Sequence, residues 1–87
     1  MSKTNVEEFL QQTRENFKEL SIDRKRMILI AIIDGEIGFL ESDIENYSGQ
    51  IESWKNYQKE IKKSTDHNYL NEWTYNFEIE SALDSYI

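Results

Sequence analysis

The sequence predicts an all-α fold organised around one long heptad helix, and three observations carry that prediction. Ile30, Ile33, Ile37, Leu40, Ile44, Tyr47, Ile51, Trp54, Gln58 and Ile61 recur at alternating steps of three and four. Side chains at that spacing share one stripe of a helix, the seam along which helices pack. Proline, which would interrupt a helix interior, is absent from the chain. Thr4, Ser21 and Asp66 stand where three helix N-termini would need side-chain caps.

A first helix is expected over residues 4–19. Thr4 and Glu7 match the capping box, in which the hydroxyl accepts from the amide three residues on and the carboxylate reaches back. Val6, Phe9, Leu10, Thr13, Phe17 and Leu20 form its apolar face. Ser21 then caps a second helix, with Asp23 at the positive end of the helix dipole. The tight connection predicts that the first helix folds back antiparallel on the start of the second. From Met27 to Ile33 the chain is apolar on every side, which calls for burial from several directions. An Ile-rich run also suits a strand, but the heptads that continue beyond it favour helix.

The second helix is expected over 22–63, because the heptad phase carries through Gly35, Gly38 and Gly49, all of which lie off the seam. Each glycine costs about 1 kcal/mol in a helix interior without forcing a break. A helix of about 40 residues is roughly 60 Å long, whereas a compact chain of this length is only about 30 Å across. Its own chain cannot cover such a helix, so the expected assembly is a dimer. In it the first helix, a third helix over 66–86 and a second copy share the seam. The alternative is a monomeric four-helix bundle, with the second helix broken near Ser48-Gly49. In the third helix Leu70, Trp73 and Phe77 make one stripe, and Ile79, Ala82, Leu83 and Tyr86 a second. The phase slips between them, as in a helix that bends or changes partner. Residues 1–87 are read as a single domain.

With 87 residues and no cysteine, the chain has no disulfide, thiolate metal site or catalytic thiol, and burial of apolar side chains must supply its stability. The first residues lack the apolar core of a signal peptide. The Met27–Ile33 run falls far short of the roughly 20 residues that cross a bilayer. A cytoplasmic, non-membrane protein is therefore expected. The net charge is −7. Between Met27 and Trp54 stand Asp34, Glu36, Glu41, Asp43, Glu45 and Glu52 with no Lys or Arg, while bases cluster at Arg24–Arg26 and at Lys55, Lys59, Lys62 and Lys63. Such a chain repels phosphate backbones, so neither direct nucleic-acid binding nor attraction to an anionic membrane is expected.

Catalytic motifs find little support. His67 has no Ser or Cys nucleophile set beside it by any motif, and next to Asp66 it reads as a solvated or capping residue. Ser64 occupies the place that a Glu-x-x-His metal motif would give to glutamate. The pairs Glu41/Glu45 and Glu15/Glu19 have the spacing to grip a hard cation, but paired acids on a helix face are ordinarily just solvated. Asp34-Gly-Glu-Ile-Gly puts carboxylates where a phosphate loop needs amides. No enzyme activity, metal or cofactor is expected.

The acid run is the main functional signal. Like charges four apart on a helix cost a few tenths of a kcal/mol, so a run without interleaved bases calls for an explanation. Glu36, Glu41, Asp43, Glu45 and Glu52 make rows that imitate the phosphates of a nucleic-acid strand, suited to blocking a basic groove. Alternatively, two antiparallel copies would set Lys55–Lys63 of one against Asp34 and Glu36 of the other, and the charge would specify pairing. Tyr57, Tyr69 and Tyr75 fall off the apolar stripes and read either as interface anchors or as tyrosines snorkelling at the core edge. Met27, Trp54, Trp73 and Phe77 are assigned to the core. The expected function is a non-enzymatic binding protein of inhibitor, immunity or antitoxin type. It would capture and block a basic, nucleic-acid-handling partner through Glu36, Glu41, Asp43, Glu45, Glu52, Tyr57, Tyr69 and Tyr75. The competing expectation is a homo-oligomeric coiled-coil adaptor, in which the seam itself is the function.

Overall fold

A computed structural model describes residues 2–42 and 44–87, with side chains described for 6–42 and 47–87. The chain is helical: α1 (Ser2–Lys18), α2 (Ile22–Glu41), α3 (Ile44–Lys63), α4 (His67–Glu72), a 3-10 turn (Trp73–Tyr75), α5 (Phe77–Leu83) and a final 3-10 turn (Asp84–Tyr86). No strand occurs among the described residues. The cap expected at Ser21 is present, its hydroxyl accepting from the Arg24 amide at 3.2 Å. Asp66 likewise accepts from the Asn68 amide at 2.9 Å. α1 begins at Ser2, two residues before the start expected at Thr4, whose side chain lies outside the described residues.

The single helix expected over 22–63 is instead two. α2 ends at Glu41 and α3 begins at Ile44, and the two pack on each other as an antiparallel hairpin. The break is at Ser42, not near Ser48-Gly49, and Gly49 lies inside α3. Ser42 turns its hydroxyl back on the Phe39 carbonyl at 2.6 Å, a local bond that competes with helix propagation. Folding back also solves the covering problem, since the molecule extends 41 × 33 × 16 Å where one continuous helix would be roughly 60 Å long. The heptad seam survives as a face shared within one chain. Ile33, Ile37 and Leu40 of α2 and Ile51 and Ile61 of α3 are buried in one core. Each such residue contributes about 1.5–3 kcal/mol by leaving water. Gln58, the polar member of the seam, donates across the hairpin to the Ile30 carbonyl at 3.1 Å and to Asp34 Oδ1 at 2.7 Å.

The C-terminal third closes over this hairpin. α5 packs on α2, while α4 bridges α1 and α2, burying Leu70, Ile79 and Leu83. The phase slip within 66–86 is a true break. Asn76 leaves the helical region at ψ 134° and accepts from the Glu78 and Ile79 amides at 3.0 and 3.4 Å, capping α5. Its turn sends Phe77, expected in the core, out to 77 % exposure. The first helix also departs from expectation: α1 approaches chiefly α4, and meets the start of α2 where Phe17 faces Lys25. Thr13 and Phe17 are buried, but Val6 and Phe9 at the far end of that face are exposed. Met27 is exposed too, because α2 is covered on the Ile28, Leu29, Ile32 and Ile33 side only.

Candidate functional site

The carboxylates singled out in the sequence do not form one uninterrupted row. Asp43 lies outside the described residues, as do the side chains of Ile44 and Glu45. Glu36 is partly buried on α2. Glu41 and Glu52 do come together, on opposite walls of a shallow cleft along the hairpin, but they share it with Lys55 and Lys59. Lys55 Nζ is 4.0 Å from Glu41 Oε2, and both side chains are about half exposed. A pair so hydrated contributes less than about 1 kcal/mol, yet it makes this cleft mixed in sign. Next to it Lys55, Lys59 and Lys62 line a second depression floored by Ile30.

The aromatic part of the expected site is brought together more completely. Tyr57 leaves α3 beside Trp54, their ring centroids 5.8 Å apart at 77°. Trp73, in the 3-10 turn after α4, meets Tyr57 at 5.2 Å and Trp54 at 6.2 Å. Tyr69, one helical turn earlier, stands edge-on to Trp73 at 6.5 Å and 87°. The Trp54–Tyr57, Tyr57–Trp73 and Tyr69–Trp73 pairs are edge-to-face, a geometry that suits the ring quadrupoles and adds about 0.5–1.5 kcal/mol per pair beyond burial, while the two indoles are tilted at 39°. Outside the cluster, Tyr69, Trp73, Glu72 and Asn76 line an open groove. The Tyr69 hydroxyl is 3.5 Å from Glu60 Oε2, at the outer limit of a hydrogen bond. Trp54 and Trp73, expected as core, are partly buried and pack against the core at its edge.

Tyr75 lies apart from this cluster. The Arg14 guanidinium stacks on its ring with Cζ 4.3 Å from the centroid. Arg14 also pairs with Glu80 and donates from Nε to the Thr74 carbonyl at 3.3 Å. One α1 side chain so ties down the 3-10 turn and α5.

Three bases are turned inward, which the sequence reading missed. Besides Arg14, Arg26 donates from Nε to the Ser64 carbonyl at 2.7 Å, tying α2 to the loop before α4. Lys25 is fully buried, its ammonium 2.8 Å from His67 Nδ1 and 5.7 Å from the Phe17 ring centroid. Burial lowers the Lys25 pKa, and the negative charge of Glu19 partly opposes that. The signal was available: Lys25 stands three, four and seven residues before Ile28, Leu29 and Ile32, on the buried side of α2. Charge clustering with Arg24 and Arg26 masked it.

Among the described residues no group of three His, Asp or Glu side chains is arranged to hold a metal ion, and no helix is long and apolar enough to cross a membrane. Comparisons with protein-family models, curated proteins and solved structures find no match to this chain.

Proposed function

We propose that this is an acidic helical binding protein that captures a basic partner protein and blocks it. The observation that carries the reading is where the charges go. Arg14, Lys25 and Arg26 are spent on internal contacts, while every described acid except Glu36 and Glu80 is exposed. The exterior is therefore more acidic than the formal net charge of −7 suggests. Such a surface steers cationic partners and repels anionic ones. The mixed cleft at Glu41 and Glu52 shifts the favoured contact from the expected carboxylate row to the aromatic cluster of Trp54, Tyr57, Tyr69 and Trp73, with Glu60 and Glu72 beside it. Aromatic side chains rimmed by charge are common anchors of protein interfaces.

The test is affinity capture from the native host at low and at moderate salt, repeated with Glu60→Lys/Glu72→Lys and with Glu41→Lys/Glu52→Lys. The expected result is a basic protein that is released as salt rises and is lost with the first double variant. Capture unchanged by both variants, or a partner that is not basic, would end this reading.

A second reading, self-association, is favoured by the exposed face of α2. Met27 is 55 % and Phe39 73 % exposed, and between them Gly35 and Gly38 leave open space where a Cβ would stand. Sedimentation at micromolar concentration separates a dimer from a monomer.

A further inference from the structure

The groove beside Trp73 presents a second instance of a recognition unit the chain already uses internally. Arg14 is held by two kinds of group at once: the face of Tyr75, 4.3 Å from Cζ, and the carboxylate of Glu80. A guanidinium suits this combination because it is planar, weakly hydrated and always charged, so it can stack on a ring while its edge donates to a carboxylate. Tyr69, Glu72 and Trp73 offer the same combination to the outside. Two aromatic side chains wall the groove, and the exposed Glu72 carboxylate has no salt-bridge partner among the described residues. Asn76 forms the remaining wall, but its Oδ1 is already used in capping α5, so the acceptor role falls to Glu72. Behind the groove, Trp73 is braced by Tyr57 and Trp54, which fix the ring before any ligand arrives.

We propose that the groove of Tyr69, Glu72 and Trp73 binds an arginine side chain presented by the partner protein. The proposal rests on the acidic-binder reading above and names the side chain that reading requires. Arginine is favoured over lysine because a compact, strongly hydrated ammonium gains less from stacking on a ring than a guanidinium does.

Trp54 and Trp73 are the only tryptophans, so intrinsic fluorescence reports the site directly. The probe is a short arginine-containing peptide, titrated into the full chain beside the same peptide with citrulline, which keeps the shape and removes the charge. Saturable change with the arginine peptide is expected. Binding should be about tenfold weaker with citrulline, and about tenfold weaker again in Glu72→Gln, an exposed substitution that leaves the fold intact. Glu52→Gln, with the same change in net charge on another face, should leave the titration unaltered. Equal weakening by Glu52→Gln and Glu72→Gln would overturn the groove and leave general acidic attraction standing. So would the absence of saturable binding while a basic partner is still captured. Loss of both peptide binding and capture would remove the underlying reading as well.

Discussion

Lys25 and His67 form a contact that joins α2 to the first residue of α4: the Lys25 ammonium, fully enclosed, donates to His67 Nδ1 across 2.8 Å. An ammonium can only donate, so with Lys25 protonated Nδ1 is the acceptor of this contact. The Phe17 ring offers the cation a second favourable surface, its centroid 5.7 Å from Nζ.

Removing the charge should therefore be tolerated, and removing its partner should not. Lys25→Met keeps the volume and abolishes a buried cation, so it should leave stability unchanged or raise it by about 1 kcal/mol. His67→Ala strips the hydrogen-bond acceptor from a buried ammonium and should cost about 1 kcal/mol or more. In the Lys25→Met background the same His67 change should cost little. Urea unfolding of the four proteins gives the coupling, and equal His67→Ala costs in both backgrounds would show that the contact is not what matters.

Burial of the Lys25 ammonium also sets a pH dependence. Burial holds the folded-state pKa of Lys25 below its ordinary value of 10.5, against a smaller opposing effect of Glu19. In the interval between the two, the unfolded chain binds the proton and the folded chain does not, so stability rises with pH through that interval. Wild type should thus gain on Lys25→Met as pH climbs through the interval that ends near 10.5. The measurement is the difference in unfolding free energy between the two proteins at several pH values, which cancels groups common to both. A flat difference, or one that falls, contradicts a buried charged lysine.

Arg14 should be the most costly surface-proximal residue to remove. Its side chain is 14 % exposed and that of Glu80 26 %, so the pair is only partly screened. Arg14→Ala abandons Glu80, the Thr74 carbonyl and the Tyr75 face together, and should cost about 2–3 kcal/mol, at or below the lower end for a broken buried pair. Arg14→Lys should recover only part of this, because an ammonium cannot stack and fork at once. Thermal unfolding followed by circular dichroism reads both.

How much of this was legible in the sequence depended on whether the signal was local. The caps at Ser21 and Asp66 and the helical character throughout were readable, because a cap is decided within four residues. Of the seam residues, Ile33, Ile37, Leu40, Ile51 and Ile61 are in the core, Ile30, Tyr47, Trp54 and Gln58 are partly buried, and the Ile44 side chain lies outside the described residues. What periodicity could not tell was whether the seam closed on another molecule or on itself. A hairpin whose turn preserves heptad phase looks the same as an unbroken helix, and Ser42, a modest helix former, gave less warning than Gly49 did. The aromatic groove was half legible. Tyr69 and Trp73 are four apart and share a helix face, but their meeting with Tyr57 and Trp54 depends on how α4 docks on α3. Glu72 carries no signal of its own, and Phe77 continues the Leu70–Trp73 stripe in the sequence, a stripe that the Asn76 cap interrupts in the fold.

That cap should be worth measuring. Asn76 holds two amides of α5 through one oxygen, and α5 supplies the buried Ile79 and Leu83. Asn76→Ala should cost about 1 kcal/mol, and Asn76→Asp should retain most of the stability, since a carboxylate caps equally well. Hydrogen exchange should show the loss concentrated in 77–83, with α2 and α3 amides protected as before.

The glycines decide between a monomer and a dimer built on α2. Gly35 and Gly49 both sit in helix interiors with no positive φ, and a Cβ added at either meets nothing within 4 Å. In an isolated chain each Gly→Ala change should therefore stabilise by about 0.5–1 kcal/mol, through restricting the unfolded state and improving helix propensity. In a chain of this length, the larger value corresponds to a rise in Tm of roughly 4–8 °C. If the Met27–Phe39 face of α2 packs closely on a second copy, Gly35→Ala would instead push the two backbones apart. It would then lower Tm and shift sedimentation towards monomer, while Gly49→Ala would still stabilise. The expected outcome is a rise for both variants, with unchanged sedimentation. A fall confined to Gly35 would favour the self-associating form over the solitary binder.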